Sequence, residues 1–339
     1  MSVRTLLNTL YVQTQGGYLH LDHETVVLEV ERSQVAQVPL HHLRGIAVFG
    51  NVLVSPFLLA RCAQDGRAVM WFTQRGRYCG RLTGRTTGNV LLRQAQYRAA
   101  QDETIVASTA RSIVKGKIRA AVSVVSRANR DYPDSYLERA RDRLQQLKHK
   151  LEFQTTLDGI RGIEGRAARL YYAAFPKLIR APSLTFLSRT KRPPRDPVNA
   201  ALSFTYALLT QDCVSALEGV GLDPQVGFLH AVRPGRPSLA LDLMEEFRTG
   251  FADRLVLTLL NRQQLQTGDF DRRPGGAVLL NEQGRKTLLT AYGRRCQEEI
   301  HHPLFKEPVP IGLLPHIQAR ILARHVRGDV EEYVGYTWR

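Results

Sequence analysis

Long apolar runs are missing from this chain. Nowhere among its 339 residues does an uninterrupted hydrophobic stretch approach the ~18 residues a bilayer-spanning helix needs, which argues against a membrane protein. The opening MSVRTLLNTLYVQTQGG lacks the basic end, apolar stretch and small-residue cleavage site of a secretory leader, so the expected compartment is the cytoplasm. Cysteine is scarce: Cys62, Cys79, Cys213 and Cys296 are scattered, with no CxxC pair. That excludes a zinc ribbon or a disulfide framework and suits a reducing cytosol. There is no internal repeat and no low-complexity segment. With 43% hydrophobic and 23% charged residues the composition is that of an ordinary globular protein, and the length favours two domains.

Two further shortages concern charge. Acids number 31 against 47 basic residues, a net charge of +16, and lysine supplies only 8 of the 47, leaving 39 arginines. A GC-rich genome explains part of the preference for arginine but not the excess of cations over acids. The guanidinium fork takes phosphate oxygens in pairs, so a strongly basic, arginine-dominated chain points to the phosphate backbone of nucleic acid.

Short β-type runs fill residues 6–82: TLYVQTQ, GYLHLD, TVVLEVE, QVAQVP, GIAVFG, AVMWFT and RYCGRL. One helical segment interrupts them at 55–64, with Ser55 placed to cap it. From Leu91 the pattern becomes helical. Helices are expected over Leu91–Arg127, Ser135–Phe153, Thr155–Ala174, Ala200–Gly219, Leu239–Asn261, Asn281–Ile300 and Ile311–Val326. Residues 266–280 read as a loop with a short strand, and SRTKRPPRDPV (188–198) as a basic, proline-rich surface loop that is either a DNA contact or a solvated linker. The expected class is α+β, with a small β domain over 1–90 and a larger, mainly α-helical domain over 91–339.

Two fragments carry chemistry. In GIEGRAARLYY, a helix begun at Thr155 puts Ile160, Glu164, Ala167 and Tyr171 in one row. A carboxylate on that apolar face costs several kcal/mol unless an arginine or a metal compensates it. Gly162 and Gly165 on either side leave room for a ligand to approach closely. In PQVGFLHAVRPGRPSLALDLMEEFR, His230 ends an apolar run. Ser238 can then cap a helix bearing Asp242 and Glu245 at i and i+3, with Glu246 beside them. Clustered carboxylates repel one another unless a cation sits among them, though a solvated acidic first turn would also account for them. Arg248 falls on the same side and could hold a phosphate. A glutamate, a histidine and paired acids form a mixed oxygen and nitrogen donor set that suits Mg²⁺ or Mn²⁺, an ion able to polarise a phosphoryl oxygen.

GIEGRAARLYY, DPVNAALSFTYALL, GLDPQVGFLHAVRPGRPSLALDLMEEFR and the opening LNTLYVQTQGGYLHLD together resemble the universal CRISPR adaptation integrase, the endonuclease-like Cas family that installs new spacers. The opening and the length are most similar to the subtype I-C form. The resemblance covers essentially the whole chain and implies a β domain followed by a helical catalytic domain. It implies a homodimer formed largely through the β domains, two of which flank a dimer of a small ferredoxin-like partner, acting on double-stranded prespacer and repeat DNA. By position it puts Glu164, His230 and Glu245 in the metal-ligand places and Asp242 in that of a neighbouring catalytic acid. Arg248 falls in the place of a basic active-site residue, and Tyr206 in that of a tyrosine near the site, with Asn199 and Ser203 in the same motif. Many relatives have aspartate where this chain has Glu245, which leaves open how Glu245 and Glu246 divide the ligand role. The activity implied is metal-dependent joining of prespacer 3′-hydroxyls to the CRISPR array. The rival readings are a structure-specific repair nuclease and a non-enzymatic DNA scaffold.

Overall fold

The computed structural model describes residues 8–82, 84, 90–304 and 306–338. The first seven residues, read above for a leader, lie outside the described residues. Two compact units emerge. One is Met1–Thr87 together with Leu289–Ile300 and Val309–Leu313, and the other is Gly88–Leu288 with His301–Pro308 and Leu314–Arg339. The sequence reading assigned all residues beyond 90 to the helical part and did not foresee the two later segments of the first unit.

In the first unit β1 (Asn8–Val12), β2 (Gly17–Asp22), β3 (Thr25–Val30), β4 (Ser33–Pro39), β5 (Leu43–Phe49) and β6 (Val52–Val54) precede α1 (Pro56–Gln64), β7 (Ala68–Phe72) and β8 (Tyr78–Leu82). They form two four-stranded sheets, ordered β1-β5-β7-β8 and β4-β3-β2-β6. Strand β5 is parallel to both neighbours, with Ile46 opposite Leu10 and Val69. A parallel strand covered on both faces is apolar throughout, and the run IAVF is fully buried. The polar-rich β4 is an edge and is exposed over most of its length. Leu19, Val26, Leu40, Ile46 and Leu58 make the core. Ser55 caps α1 as expected, accepting from the Leu58 amide at 3.2 Å. The four cysteines are free thiols.

The second unit holds α2 (Val90–Ala99), α3 (Glu103–Asp131), α4 (Ser135–Glu152), α5 (Leu157–Ala174), α6 (Pro197–Val220), α7 (Ser238–Phe247), α8 (Arg254–Asn261), the hairpin of β9 (Phe270–Arg272) and β10 (Val278–Leu280), and α10 (Leu314–Val326). Between the last two run α9 (Glu282–Gln297), β11 (Glu299–His301) and β12 (Pro308–Pro310). Polar caps set the boundaries. Asp102, Asp134, Thr156 and Asp196 each accept from first-turn amides of the helix that follows. The expected continuous helix over 91–127 is therefore two, because Asp102 takes the Thr104 and Ile105 amides and starts α3 afresh. Gly221, at φ 91°, ends α6 in the left-handed conformation that glycine adopts freely. Helix 239–261 is likewise not uniform: a π-helical stretch, Arg248–Asp253, separates α7 from α8.

Candidate metal centre

Three helices of the second unit converge on one cation. The row Ile160, Ala167 and Tyr171 of α5 is buried as the spacing predicts, and Glu164 sits in it partly exposed, with 27% of its side chain accessible. Gly162 and Gly165 have open space where a Cβ would stand, so that side of Glu164 is free of packing. From α3, Lys117 reaches across to Glu164 Oε1 in close contact, and its Nζ lies 2.8 Å from Glu245 Oε2 of α7. Arg248 Nη1 donates to the other Glu245 oxygen at 2.9 Å. Burial opposes ionisation of Glu245, but the Lys117 ammonium and Arg248 more than reverse this and hold its carboxyl well below the usual range.

His230 is aimed by Asp242. The Asp242 carboxylate, wholly buried, accepts from the backbone amides of Phe228, Leu229 and His230 at 2.6, 2.9 and 2.9 Å, and from His230 Nδ1 at 2.6 Å. With Nδ1 so engaged, Nε2 is the nitrogen left to ligate. The loop wraps this tightly because residue 227 is glycine: a Cβ there would lie 2.6 Å from Asp242 Oδ2. Arg161 of α5 donates to the Leu229 carbonyl at 2.8 Å, tying the loop to the helix that carries Glu164. Asp242 therefore spends its carboxylate on the 228–230 loop and on His230. Ser238 also differs from expectation. It makes no cap; its hydroxyl donates to the Ala231 carbonyl at 2.9 Å, and the Pro224 carbonyl takes the first amides of α7.

Arg248 opens the π-helical stretch and rests on tyrosines. Its guanidinium lies 4.5 Å from the Tyr206 ring centroid, and Nη2 donates to the Tyr172 hydroxyl at 3.1 Å. Tyr172 and Tyr206 hydroxyls pair at 2.9 Å, and Tyr206 donates to buried Asp253 at the end of the π stretch. Tyr206 thus acts as a floor for Arg248. The basic loop 188–198 turns partly inward, because Arg189 donates to Asn199 Oδ1 and Ser203 Oγ at 2.7 and 3.0 Å and lies 5.3 Å over the Tyr206 ring. Burial and the neighbouring Arg248 and Arg189 push the Lys191 ammonium below its ordinary value. Local extra turns of this kind recur at functional sites, where they re-aim side chains.

Glu246 faces away from the centre. It accepts from the Tyr336 amide at 2.6 Å, from Gln318 Nε2 at 3.0 Å and from the Tyr333 hydroxyl, while Trp338 Nε1 donates to its carbonyl at 2.8 Å. Gly250 is needed beneath this tail, since a Cβ would meet the Trp338 ring at 2.3 Å. Glu245 meets the Lys117 that also holds Glu164, and Glu246 anchors residues 333–338. Burial pushes the Glu246 carboxyl up to about 7, against donation from Tyr333, Tyr336 and Gln318. The folded protein then holds this proton more tightly than the unfolded chain, whose carboxyl titrates near 4.5. Stability should fall as pH rises from about 4.5 to about 7. With chelator present, Glu246→Gln should show a smaller loss of unfolding midpoint between pH 5 and 7 than the unmodified protein. Equal slopes would show that Glu246 does not titrate there.

Glu164, Glu245 and His230 Nε2 fit a hard divalent ion in donor type, and Glu245 Oε2 is a buried oxygen with no aligned hydrogen bond, only the Lys117 charge beside it. Among the described residues no three His, Cys, Asp or Glu side chains form a ready-made ligand group. Sequence reasoning missed Lys117, Arg189, Tyr172 and Asp253. Lys117 was findable: Ala110, Ile113, Ala121 and Val124 line a buried stripe with it, the same charge-on-an-apolar-face signal that marked Glu164.

The family described as CRISPR associated protein Cas1 matches residues 10–294. The CRISPR-associated endonuclease Cas1 1 of Moorella thermoacetica is 49% identical over 340 residues, covering 98% of this chain and 99% of that protein. The solved structure of a Cas1 protein from Thermotoga maritima matches with a TM-score of 0.81 at 25% identity, over 95% of this chain and 97% of that one. A casposase bound to an integration product shares the fold, with a TM-score of 0.83 at 21% identity over 96% and 92% of the two chains.

Proposed function

The chain belongs to the CRISPR associated protein Cas1 family, and we propose on that footing that its centre joins prespacer DNA to a CRISPR array by metal-dependent transesterification. The protein is a DNA endonuclease and integrase of CRISPR adaptation. The observation that carries the site assignment is the convergence of Glu164 and Glu245, from separate helices, on a single cation, beside a histidine fixed by its own buried carboxylate.

Glu164, Glu245 and His230 Nε2 would hold the ion, Mg²⁺ or Mn²⁺. When bound it polarises the phosphoryl oxygen and favours the deprotonated form of the attacking hydroxyl. The remaining work falls to the chain. Asp242 keeps His230 in one tautomer and one orientation. Arg248, fixed on Tyr206 and Tyr172, takes a phosphate oxygen and stabilises the negative charge that builds on the phosphoryl oxygens as the prespacer 3′-oxygen bonds to phosphorus and the 3′-oxygen of the array nucleotide preceding that phosphate leaves. Arg189 and Lys191 add positive charge along the approach. The net +16 supplies general affinity for double-stranded prespacer and repeat DNA.

Exposed Leu53 and Phe57 on the β unit, 66% and 81% accessible, support a homodimer formed there, and family membership supports assembly with a small ferredoxin-like adaptation partner. Among the described residues no helix is long and apolar enough to cross a membrane; action in the cytoplasm fits DNA as the substrate.

Supercoiled plasmid bearing a repeat array, mixed with a short 3′-hydroxyl duplex, should yield half-site joined product with Mn²⁺ or Mg²⁺. EDTA or 3′-deoxy ends should give none. Cutting of branched DNA without joining would favour the repair nuclease, and neither activity would favour the scaffold.

A further inference from the structure

We propose that Lys117 is a resident counter-cation of the centre, holding the position between Glu164 and Glu245 that a divalent ion takes, and that ion entry swings its ammonium into the adjoining cleft. The inference rests on the metal-site reading above. It concerns how the site keeps two carboxylates together before an ion arrives.

Glu164 and Glu245 come from helices α5 and α7, and two carboxylates brought together with little water would repel. Lys117 removes that repulsion by touching both, at 2.8 Å from Glu245 and in close contact with Glu164, and it is itself buried. Those contacts pull its ammonium further towards the charged form even though burial opposes charge there. A small divalent ion needs the same oxygens at shorter range. An ammonium and a dication crowded onto the same two carboxylates repel each other, so one must leave, and the lysine has somewhere to go. Its flexible stem borders a small cleft partly open to solvent, lined by Ala121, Ala167, Ala168, Tyr172 and Arg248. The alanines leave room, and the Tyr172 ring offers a face for a cation. Arg248, on the cleft's edge, is already paired with Glu245. Bound this way, the lysine sets the ion concentration at which the nuclease becomes active.

A mutant cycle on the full-length protein tests this, using Mn²⁺ binding by calorimetry and not activity. Lys117→Met should bind Mn²⁺ at least about tenfold more tightly than the unmodified protein. Ala168→Leu fills the cleft and should weaken Mn²⁺ binding several-fold when Lys117 is present, and have no effect in the Lys117→Met background. An equal effect of Ala168→Leu in both backgrounds, or unchanged affinity in Lys117→Met, would overturn the proposal. Should Lys117→Met fail to fold, a crystal of the unmodified protein soaked in Mn²⁺ decides. Nζ should have left Glu245 Oε2, whereas an ion bound with Nζ still on both carboxylates refutes displacement. Absence of any Mn²⁺ binding that depends on Glu164 would sink the metal reading as well as this one. Normal Mn²⁺ binding that ignores Lys117 would sink this one alone.

Discussion

Glu164→Ala and His230→Ala should each lower strand joining by on the order of 10²–10³-fold or more, while DNA binding stays within a few-fold of the parent. The two effects separate because they have different physical origins. Affinity for DNA is a sum over many of 47 basic side chains, and removing one acid or one imidazole changes that sum little. The proposed reaction needs the ion in one place, and each of these residues would supply one of its ligands. Folding should survive both changes. In Glu164→Ala, Lys117 keeps Glu245 as a partner at 2.8 Å, so no buried charge is left alone. In His230→Ala, Asp242 keeps three backbone amides. Plasmid joining assays beside gel shifts at the same salt give the comparison. Joining within tenfold of the parent would remove the residue from the centre.

Asp242→Asn should prove nearly as damaging. The carboxylate accepts from three amides and one imidazole, and an amide has one oxygen and must turn its NH₂ towards some of those donors. Two losses are expected together. The 228–230 loop loosens, lowering stability by about 1–3 kcal/mol for a buried donor left unpaired. His230 loses its fixed tautomer, weakening the divalent ion by about 10–100-fold. Mn²⁺ titration and thermal unfolding read the two separately. Asp242→Glu should not rescue, because Gly227 packs against the aspartate with no space for a further methylene. Unchanged Mn²⁺ affinity in Asp242→Asn would show that the carboxylate only fastens the loop.

Much of this centre was legible beforehand, residue by residue. Glu164 declared itself because a carboxylate in an apolar helical row needs a partner. The i, i+3 pair of Asp242 and Glu245 stood out as like charges on one face, but the structure satisfies them separately, Asp242 with three amides and His230, Glu245 with Lys117 and Arg248. Which of the three neighbouring acids did what was not legible, and the reason is distance along the chain. Glu246 is claimed by Gln318, Tyr333 and Tyr336, between 72 and 90 residues away, and no local pattern announces a partner so remote. Tyr206 was expected near the site, and the structure puts Arg248 over its ring while its hydroxyl meets Tyr172 and Asp253, partners that no local pattern announces. The helix pattern over 239–261 hid the π stretch because residues 238–260 are buried on nearly every side, so an inserted residue displaces no exposed stripe.

The tail that grips Glu246 bears on the order in which the protein is made. Helix α7 carries Asp242 and Glu245, yet its outer acid is satisfied by groups that the ribosome adds some 90 residues later. A growing chain therefore presents α7 with Glu246 still lacking its donors and Gly250 without the indole that packs on it. Contacts between such distant positions form late in folding. The helix that carries Asp242 and Glu245 is therefore fastened on its outer side only when Trp338 settles against it.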